Sequence, residues 1–486
     1  MTSSYVSLAP NKFKISQMKS ISLQFRLINI ILLLVIVLQS CNNPANRNEQ
    51  AVSVQDSVAS ANAGPVHPEW SRNAVIYEVN IRQYTPEGTF ASFQERLPEL
   101  KELGVDILWL MPVHPIGVKN RKGTLGSYYS VKDYKAVNPE FGTDDDFRTL
   151  VNKAHELGFK VILDWVANHT AWDHDWVTLH PDWYTHDSTG KIVSPFDWSD
   201  VADLNYDRPE LRDAMIDALK YWVQEFDIDG YRCDVAGMVP VDFWNRARKE
   251  LDSIKPVFML AEAEEAELHK EAFDMTYAWE LHHIFNQVAG LKEPASAIAE
   301  YYTREKENYP ADAYRMVFTS NHDENSWNGT VFERLDGGAE VFAVLTYALP
   351  GMPLIYTGQE AGMNKRLEFF EKDLVPWNPD HPFRELYTNL NRLKHQLTPL
   401  YNGIAGGDFV SLENSLPGKV LSFYREKEGQ RVVMIANLSP DPVEVSVRGV
   451  PAGDYKLFPA QTDFRITEDF PAQQLAPWAY IFCFSE

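Results

Sequence analysis

Four short apolar runs, each closing on an acidic residue, occur in four successive parts of this chain. They read Lys160-Val-Ile-Leu-Asp164, Ile228-Asp-Gly-Tyr-Arg-Cys-Asp234, Val257-Phe-Met-Leu-Ala-Glu262 and Met316-Val-Phe-Thr-Ser-Asn-His-Asp323. Runs this short and apolar fit strands of a parallel sheet buried on both faces, and helix-patterned segments lie between them. If the strands close into a (β/α)8 TIM barrel, their C-terminal ends share one face and the four acids converge there. Carboxylates brought that close cannot all stay comfortably ionised, so their pKa values are pushed apart. The arrangement suits acid/base and nucleophilic chemistry on a sugar.

The rest of the chain fits an α/β class barrel. Val75-Ile-Tyr-Glu-Val-Asn reads as the first strand, with a helix over Phe93 to Leu103, and Asp106 to Pro112 reads as the second. Phe147 to Leu157 reads as a helix capped by Gly158. Arg208 to Phe226 carries an apolar stripe at helical spacing that packs on the barrel. Gly351-Met-Pro-Leu-Ile-Tyr-Thr-Gly358 would be the eighth strand. Between His169 and Asp203 the pattern breaks into an irregular stretch holding Trp172, Trp176, Trp183, Tyr184, Phe196 and Trp198. Long loops after barrel strands build active sites, although such aromatics also pack the loop's own small core. After Pro399 the pattern turns to alternation around Gly429, the mark of a small antiparallel β domain, read as a sandwich.

The formal charge is −23. Residues 1–40 hold four cations (Lys12, Lys14, Lys19, Arg26) and no acid, so the remainder carries −27. Such a body repels nucleic acid and anionic membrane surfaces. Lys19 and Arg26 precede a run from Ile28 to Leu38 that is apolar except for Asn29, too short to span a membrane but suited to a signal peptide. It ends in Leu38-Gln39-Ser40-Cys41, which resembles a bacterial lipoprotein cleavage site with Cys41 as the lipidated residue. The expected layout is a signal peptide over 1–40, a flexible tether over 41–70, the barrel over 71–398 with its insertion at 169–205, and the β domain over 399–486. Only Cys233 and Cys483 remain in the body, so no disulfide framework is indicated.

The motifs together resemble the α-amylase family of glycoside hydrolases. Asp164-Trp-Val-Ala-Asn168-His169 looks like that family's first conserved region and Gly230-Tyr-Arg232-Cys-Asp234 like the second. Glu262 stands where the third carries its acid, and Asn321-His322-Asp323 is similar to the fourth. Val201-Ala-Asp203-Leu-Asn205 resembles the additional region that ends the inserted loop. The resemblance implies that Asp234 is the nucleophile, Glu262 the acid/base and Asp323 the stabiliser of the positively charged transition state. It further implies that Tyr129, Asp164, His169, Arg232 and His322 bind substrate. Arg232, two residues before Asp234, shares its side of the strand and would keep it ionised; an ion pair with Asp164 is the structural alternative. Tyr128 beside Tyr129 is a second candidate for stacking. Glu264 and Glu265 rival Glu262, which is preferred because it ends the apolar run.

Two departures qualify the resemblance. Many members follow the nucleophile with Lys-His, whereas Asp234 is followed here by Val235-Ala-Gly-Met. The Asp-Val pair looks more like neopullulanases, cyclomaltodextrinases and oligo-1,6-glucosidases. Asn168 and Asp203 match calcium-ligand positions, but two oxygens do not make a calcium site. The implied activity is retaining hydrolysis of α-glucosidic bonds in starch-derived glucans or maltooligosaccharides, α-1,4 with α-1,6 left open. No cofactor is required for that chemistry and calcium is left open. The implied partners are an α-glucan and, through a lipid anchor at the outer membrane, the bilayer. A transglycosylase on the same substrates is the near rival; a non-catalytic glucan-binding lipoprotein is the distant one, disfavoured by four intact acids.

Overall fold

The computed structural model describes residues 64–467 and 470–485 of the chain. The expected signal peptide, Cys41 and the tether as far as residue 63 lie outside them. The expected tether boundary at 70 is corrected, because Gly64 to Trp70 belong to the body. His67 bonds through Nδ1 to the Asp274 carboxylate and through Nε2 to the Asp312 carbonyl, both at 2.8 Å, and stacks on Tyr314. Its pKa is raised: burial pulls it down, but Asp274 and Asp312 outweigh that.

Eight parallel strands close into a barrel. In chain order they are β1 (Ile76–Val79), β2 (Ile107–Leu110), β3 (Lys160–Trp165), β4 (Gly230–Cys233), β5 (Phe258–Ala261), β6 (Met275–Tyr277), β7 (Tyr314–Val317) and β8 (Met352–Tyr356). Each pairs in parallel with its neighbours, and β8 closes on β1. Strand pleating sends alternate residues inward. Ile76, Ile107, Trp109, Ile162, Phe258, Leu260, Met275, Tyr277 and Met316 pack together in the barrel's interior. The same parity carries Glu78, Asp164, Arg232 and Asp234 inward at its upper end, and Glu262 two residues beyond Leu260. Gly230, at φ +152°, lets β4 approach β5; a Cβ there would lie 1.9 Å from the Phe258 carbonyl oxygen.

Helices sheathe the barrel. Asp144–Glu156 starts on a capping box between Thr143 and Asp146, and Pro209–Phe226 presents its apolar stripe to the core. The expected helix over 93–103 is instead two, Phe90–Gln94 and Leu97–Leu103. Pro98 has no N–H to bond back one turn, so the helix stops and restarts around it. The excursion after β3 opens and closes on an antiparallel ribbon, His169–Ala171 against Val201–Asp203.

The C-terminal part is a six-stranded and a three-stranded antiparallel sheet, enclosing Leu412, Val433, Ile435, Val445, Val447, Tyr455 and Cys483. Its central hairpin, Val420–Lys427 with Gln430–Asn437, turns on Glu428 and Gly429, both at positive φ, as a tight hairpin requires. Arg425 fastens it to the barrel, donating to the carbonyls of Leu349 at 2.9 Å and Gly407 at 2.8 Å. Cys233 and Cys483 are both free and buried.

Candidate active site

Arg232 organises the upper end of the barrel. Its guanidinium is fully buried and donates from Nη1 to Asp164 at 2.8 Å and to Asp234 at 3.0 Å. Nη2 lies 2.9 Å from Glu262 Oε2, close enough to pair but not aligned as a hydrogen bond, and Nε donates to the Tyr277 hydroxyl at 3.1 Å. One cation thus faces three carboxylates delivered by the ends of β3, β4 and β5. A buried charge needs partners of this kind, since desolvation alone would cost several kcal/mol.

Two of the three carboxylates, Asp164 and Glu262, are fixed by further contacts. Asp164 Oδ2 accepts from Trp109 Nε1 at 3.1 Å and from the Tyr129 hydroxyl at 2.9 Å. Glu262 Oε2 accepts the backbone N–H of Val235 at 2.8 Å. Val235 sits at φ 37°, ψ 46°, a left-handed conformation that β-branched residues adopt only under constraint. The chain just after Asp234 is thereby turned so that its amide grips the neighbouring acid. Asp323 lies beyond the end of its strand, since β7 stops at Val317. The acid lies on the following loop, where Asn321 Oδ1 caps the turn by accepting Glu324 N–H at 2.8 Å.

His322 ties this loop to the barrel. Its Nδ1 pairs with Glu78, and its Nε2 lies 3.2 Å from Asp323 and 2.9 Å from the Tyr129 hydroxyl. The Tyr129 ring stacks on His322 at 5.3 Å between centroids. Both imidazole nitrogens are therefore engaged within the protein, and a sugar hydroxyl would have to displace Tyr129 or Asp323 from Nε2. Tyr128 points elsewhere, to Asn80 beneath Arg82. Glu264 is engaged with Arg315 and the Glu280 amide, and Glu265 with the Glu264 amide.

The electrostatics separate the acids. Burial raises Glu262, and Asp323 adds to the rise against Arg232. Burial likewise raises Asp234, with Glu262, Asp164 and Asp323 repelling its charge and Arg232 opposing them. Asp323 is lowered, because His322 outweighs the effect of burial. Burial pulls His322 down, yet Asp323 and Glu78 lift it well above the ordinary value. The Asp234–Glu262 pair therefore holds a proton tightly. Asp234 accepts an aligned bond from Arg232, and Glu262 Oε2 faces two donors, the Val235 N–H and Arg232 Nη2. Burial pushes His169 down to about 4, so its ring is neutral; Asn168 Nδ2 donates to its Nδ1 at 3.3 Å.

Tyr129, His169, Asp234, Glu262, His322 and Asp323 line a cavity of about 260 Å³ that also includes Lys122, Trp198, Asp200, Trp327, Phe369 and Phe370, while Asp164 and Arg232 lie behind that lining. Of those six, sequence reasoning named Trp198 alone, as one of the insertion's aromatics; it named neither the other five nor Glu78. Glu78 carried a signal, a carboxylate inside the apolar run Val75–Val79 with the inward parity of Ile76. Asn168 and Asp203 stand close across the ribbon, where Leu204 N–H bonds the Asn168 carbonyl. Asp203 is half-buried and held above the usual range by burial. No cluster of three or more His, Cys, Asp or Glu able to hold a metal occurs among the described residues. Two side chains do not supply the six to eight oxygens that calcium takes, so by themselves they do not fit that ion.

Comparison with known proteins points to one family. The profile of the alpha-amylase catalytic domain matches residues 10–190 and 178–379. An alpha-amylase from Lactobacillus plantarum is 33% identical over 86% of this chain and 100% of its own, with a TM-score of 0.77. A maltogenic alpha-amylase from Thermotoga neapolitana is 30% identical over 85% of this chain and 99% of its own, with a TM-score of 0.78. The alpha-amylase MalA of Haloarcula japonica is 27% identical over 84% of this chain, which spans 63% of that protein's length.

Proposed function

Because the chain belongs to the α-amylase family of glycoside hydrolases, we propose that it hydrolyses α-glucosidic bonds of starch-derived glucans with retention at the anomeric carbon. Asp234 attacks that carbon and forms a covalent glycosyl-enzyme. Glu262 gives its proton to the departing glycosidic oxygen, then takes one from the incoming water. Asp323 and the protonated His322 form a charged pair beside the sugar hydroxyls, and Asp323 faces the positive charge that develops on the ring. Arg232 keeps Asp234 ionised at the moment of attack.

The observation that carries this reading is one guanidinium in contact with both Asp234 and Glu262. Two carboxylates on one guanidinium suit the ~5–5.5 Å separation of retaining pairs better than the ~6.5–9.5 Å that leaves room for a water in inverting ones. The intact set of acids also speaks against a role in glucan binding alone. Asp234→Asn should lower turnover by several orders of magnitude in a folded protein, since an amide is not a competent nucleophile here. Near-normal activity in the pure variant would end the assignment.

We propose α-1,4 linkages as the main substrate. The Asp234-Val235 pair supports tolerance of α-1,6 bonds as in neopullulanases and cyclomaltodextrinases; products from maltoheptaose, pullulan and cyclodextrin decide it. The proposed steps use side chains alone, so any turnover lost on exhaustive chelation should fall together with the melting temperature and return with calcium; turnover lost from a protein of unchanged stability would refute this. The Ser40-Cys41 motif supports export and lipidation at Cys41, with the enzyme held at the outer membrane.

A further inference from the structure

The loop after β2, residues 113–135, is sewn to the loops on both sides of it. Toward the excursion after β3, Ala171 N–H donates to the Val131 carbonyl at 2.8 Å. Val118 N–H donates to the Asp173 carboxylate at 3.1 Å, and Lys132 pairs with the same group at 3.2 Å. Ser130 Oγ donates to the Asp200 carbonyl at 3.2 Å, and Lys122 Nζ pairs with the Asp200 carboxylate at 3.0 Å. The seam is tight at Gly117, where a Cβ would come within 2.4 Å of Ala171 Cβ. Toward the loop after β8, Leu125 N–H donates to the Phe370 carbonyl at 3.1 Å and Thr124 N–H to Glu371 at 2.9 Å.

The loops of β8, β2 and β3 thus form one continuous wall, and Lys122, Asp200 and Phe370 bring it to the cavity's edge. In the barrel's ring, β5, which ends at Ala261 just before Glu262, lies directly across from β1, one of the two central strands of that arc. The leaving group must sit beside the acid that protonates it. In an α-glucan the leaving group is the portion toward the reducing end, so the wall stands against the portion toward the non-reducing end. The cavity's 260 Å³ is at the small end of ligand sites, which run from ~300 Å³ upward.

We propose that this wall makes the active site blind on its non-reducing side, so that the enzyme cuts near chain ends or in short maltooligosaccharides rather than inside long chains. The inference rests on the catalytic reading of Asp234 and Glu262. The Lys122–Asp200 pair offers a donor and an acceptor to the terminal hydroxyls where the wall meets the cavity.

The test compares three maltoheptaose derivatives on the wild-type enzyme: unmodified, 4,6-O-ethylidene-blocked at the non-reducing end, and reduced to the alditol at the other end. The alditol should be cut about as well as maltoheptaose, and the ethylidene derivative at least about 100-fold more slowly in kcat/KM, because its extra carbons meet the wall. Lys122→Ala, which removes one side of the seam at the cavity, should recover at least about tenfold on the blocked substrate relative to the unblocked one. Equal rates on blocked and unblocked substrate would overturn the proposal, as would selective refusal of the alditol. If unmodified maltoheptaose itself is not cut, the catalytic reading has failed instead.

Discussion

At the scale of single residues the site is a problem of keeping several carboxylates together without losing the charge each needs. Glu262 must arrive protonated, and burial raises its pKa while Asp323 repels its ionised form. Activity on natural glucans should therefore fall as pH rises through the Glu262 pKa, where the proton it must donate is lost. Glu262→Gln should abolish hydrolysis of maltooligosaccharides yet spare the glycosylation step with an aryl glycoside of low leaving-group pKa, and that step should lose the alkaline limb of its pH profile. Rates measured from pH 4 to 9 on both substrates check this; the same behaviour in Glu264→Gln instead would move the acid two residues along the chain. The carboxylates of the site were legible in the sequence because each ends or follows an apolar run. Glu78 was not, since a lone acid inside a strand reads as a sheet residue until its partner His322, distant in sequence, is placed beside it. Lys122 and Asp200 were illegible for the same reason: each is an ordinary surface-type residue until two loops bring them to 3.0 Å.

At the scale of elements, short strands position the chemistry and the turns beyond them adjust it. Period-two pleating accounts for Asp164, Arg232, Asp234 and Glu262, which is why the sequence pattern located them. It fails for Asp323, whose place depends on the Asn321 cap, a local hydrogen bond that apolar patterning does not record. The helix over 93–103 was read as continuous because its apolar spacing is; the Pro98 break is local backbone chemistry overriding that spacing. One turn carries a pH signature. Glu360, just beyond β8, is buried, bonds the β1 residue Tyr77 at 2.8 Å, and leaves its other oxygen without a partner. Burial lifts its pKa from 4.5 to about 7. Below pH 4.5 folded and unfolded states both carry the proton; between 4.5 and about 7 only the folded state does, so its contribution to stability falls as pH rises across that window. The loss amounts to roughly 3 kcal/mol. Glu360→Gln keeps an acceptor for Tyr77 and cannot ionise. Melting temperatures of the two proteins should converge near pH 5 and separate by pH 8 in favour of the variant; parallel curves would show that Glu360 is ionised in the fold.

For the whole molecule, barrel and β domain share a core, since Leu421, Phe423, Val432, Met434 and Phe482 pack in the same cluster as the barrel helices. The change of period near residue 399 located the β domain but not that shared packing, which depends on contacts distant in sequence. No helix among the described residues is long and apolar enough to cross a membrane; the proposed lipid anchor is Cys41. Mass spectrometry of the mature protein should find an acylated Cys41 at its N-terminus, and a free, unmodified terminus elsewhere would mean a secreted enzyme with the same chemistry. The central claim is the covalent step at Asp234. The enzyme should be incubated with a 5-fluoro-α-glucosyl fluoride, whose fluorine slows turnover of the intermediate, then digested and mapped by mass spectrometry. A fluoroglucosyl adduct on Asp234, released again by water or an acceptor sugar, is the expected result. An adduct on another residue, or α-glucan cleavage with inversion and no adduct, would contradict it.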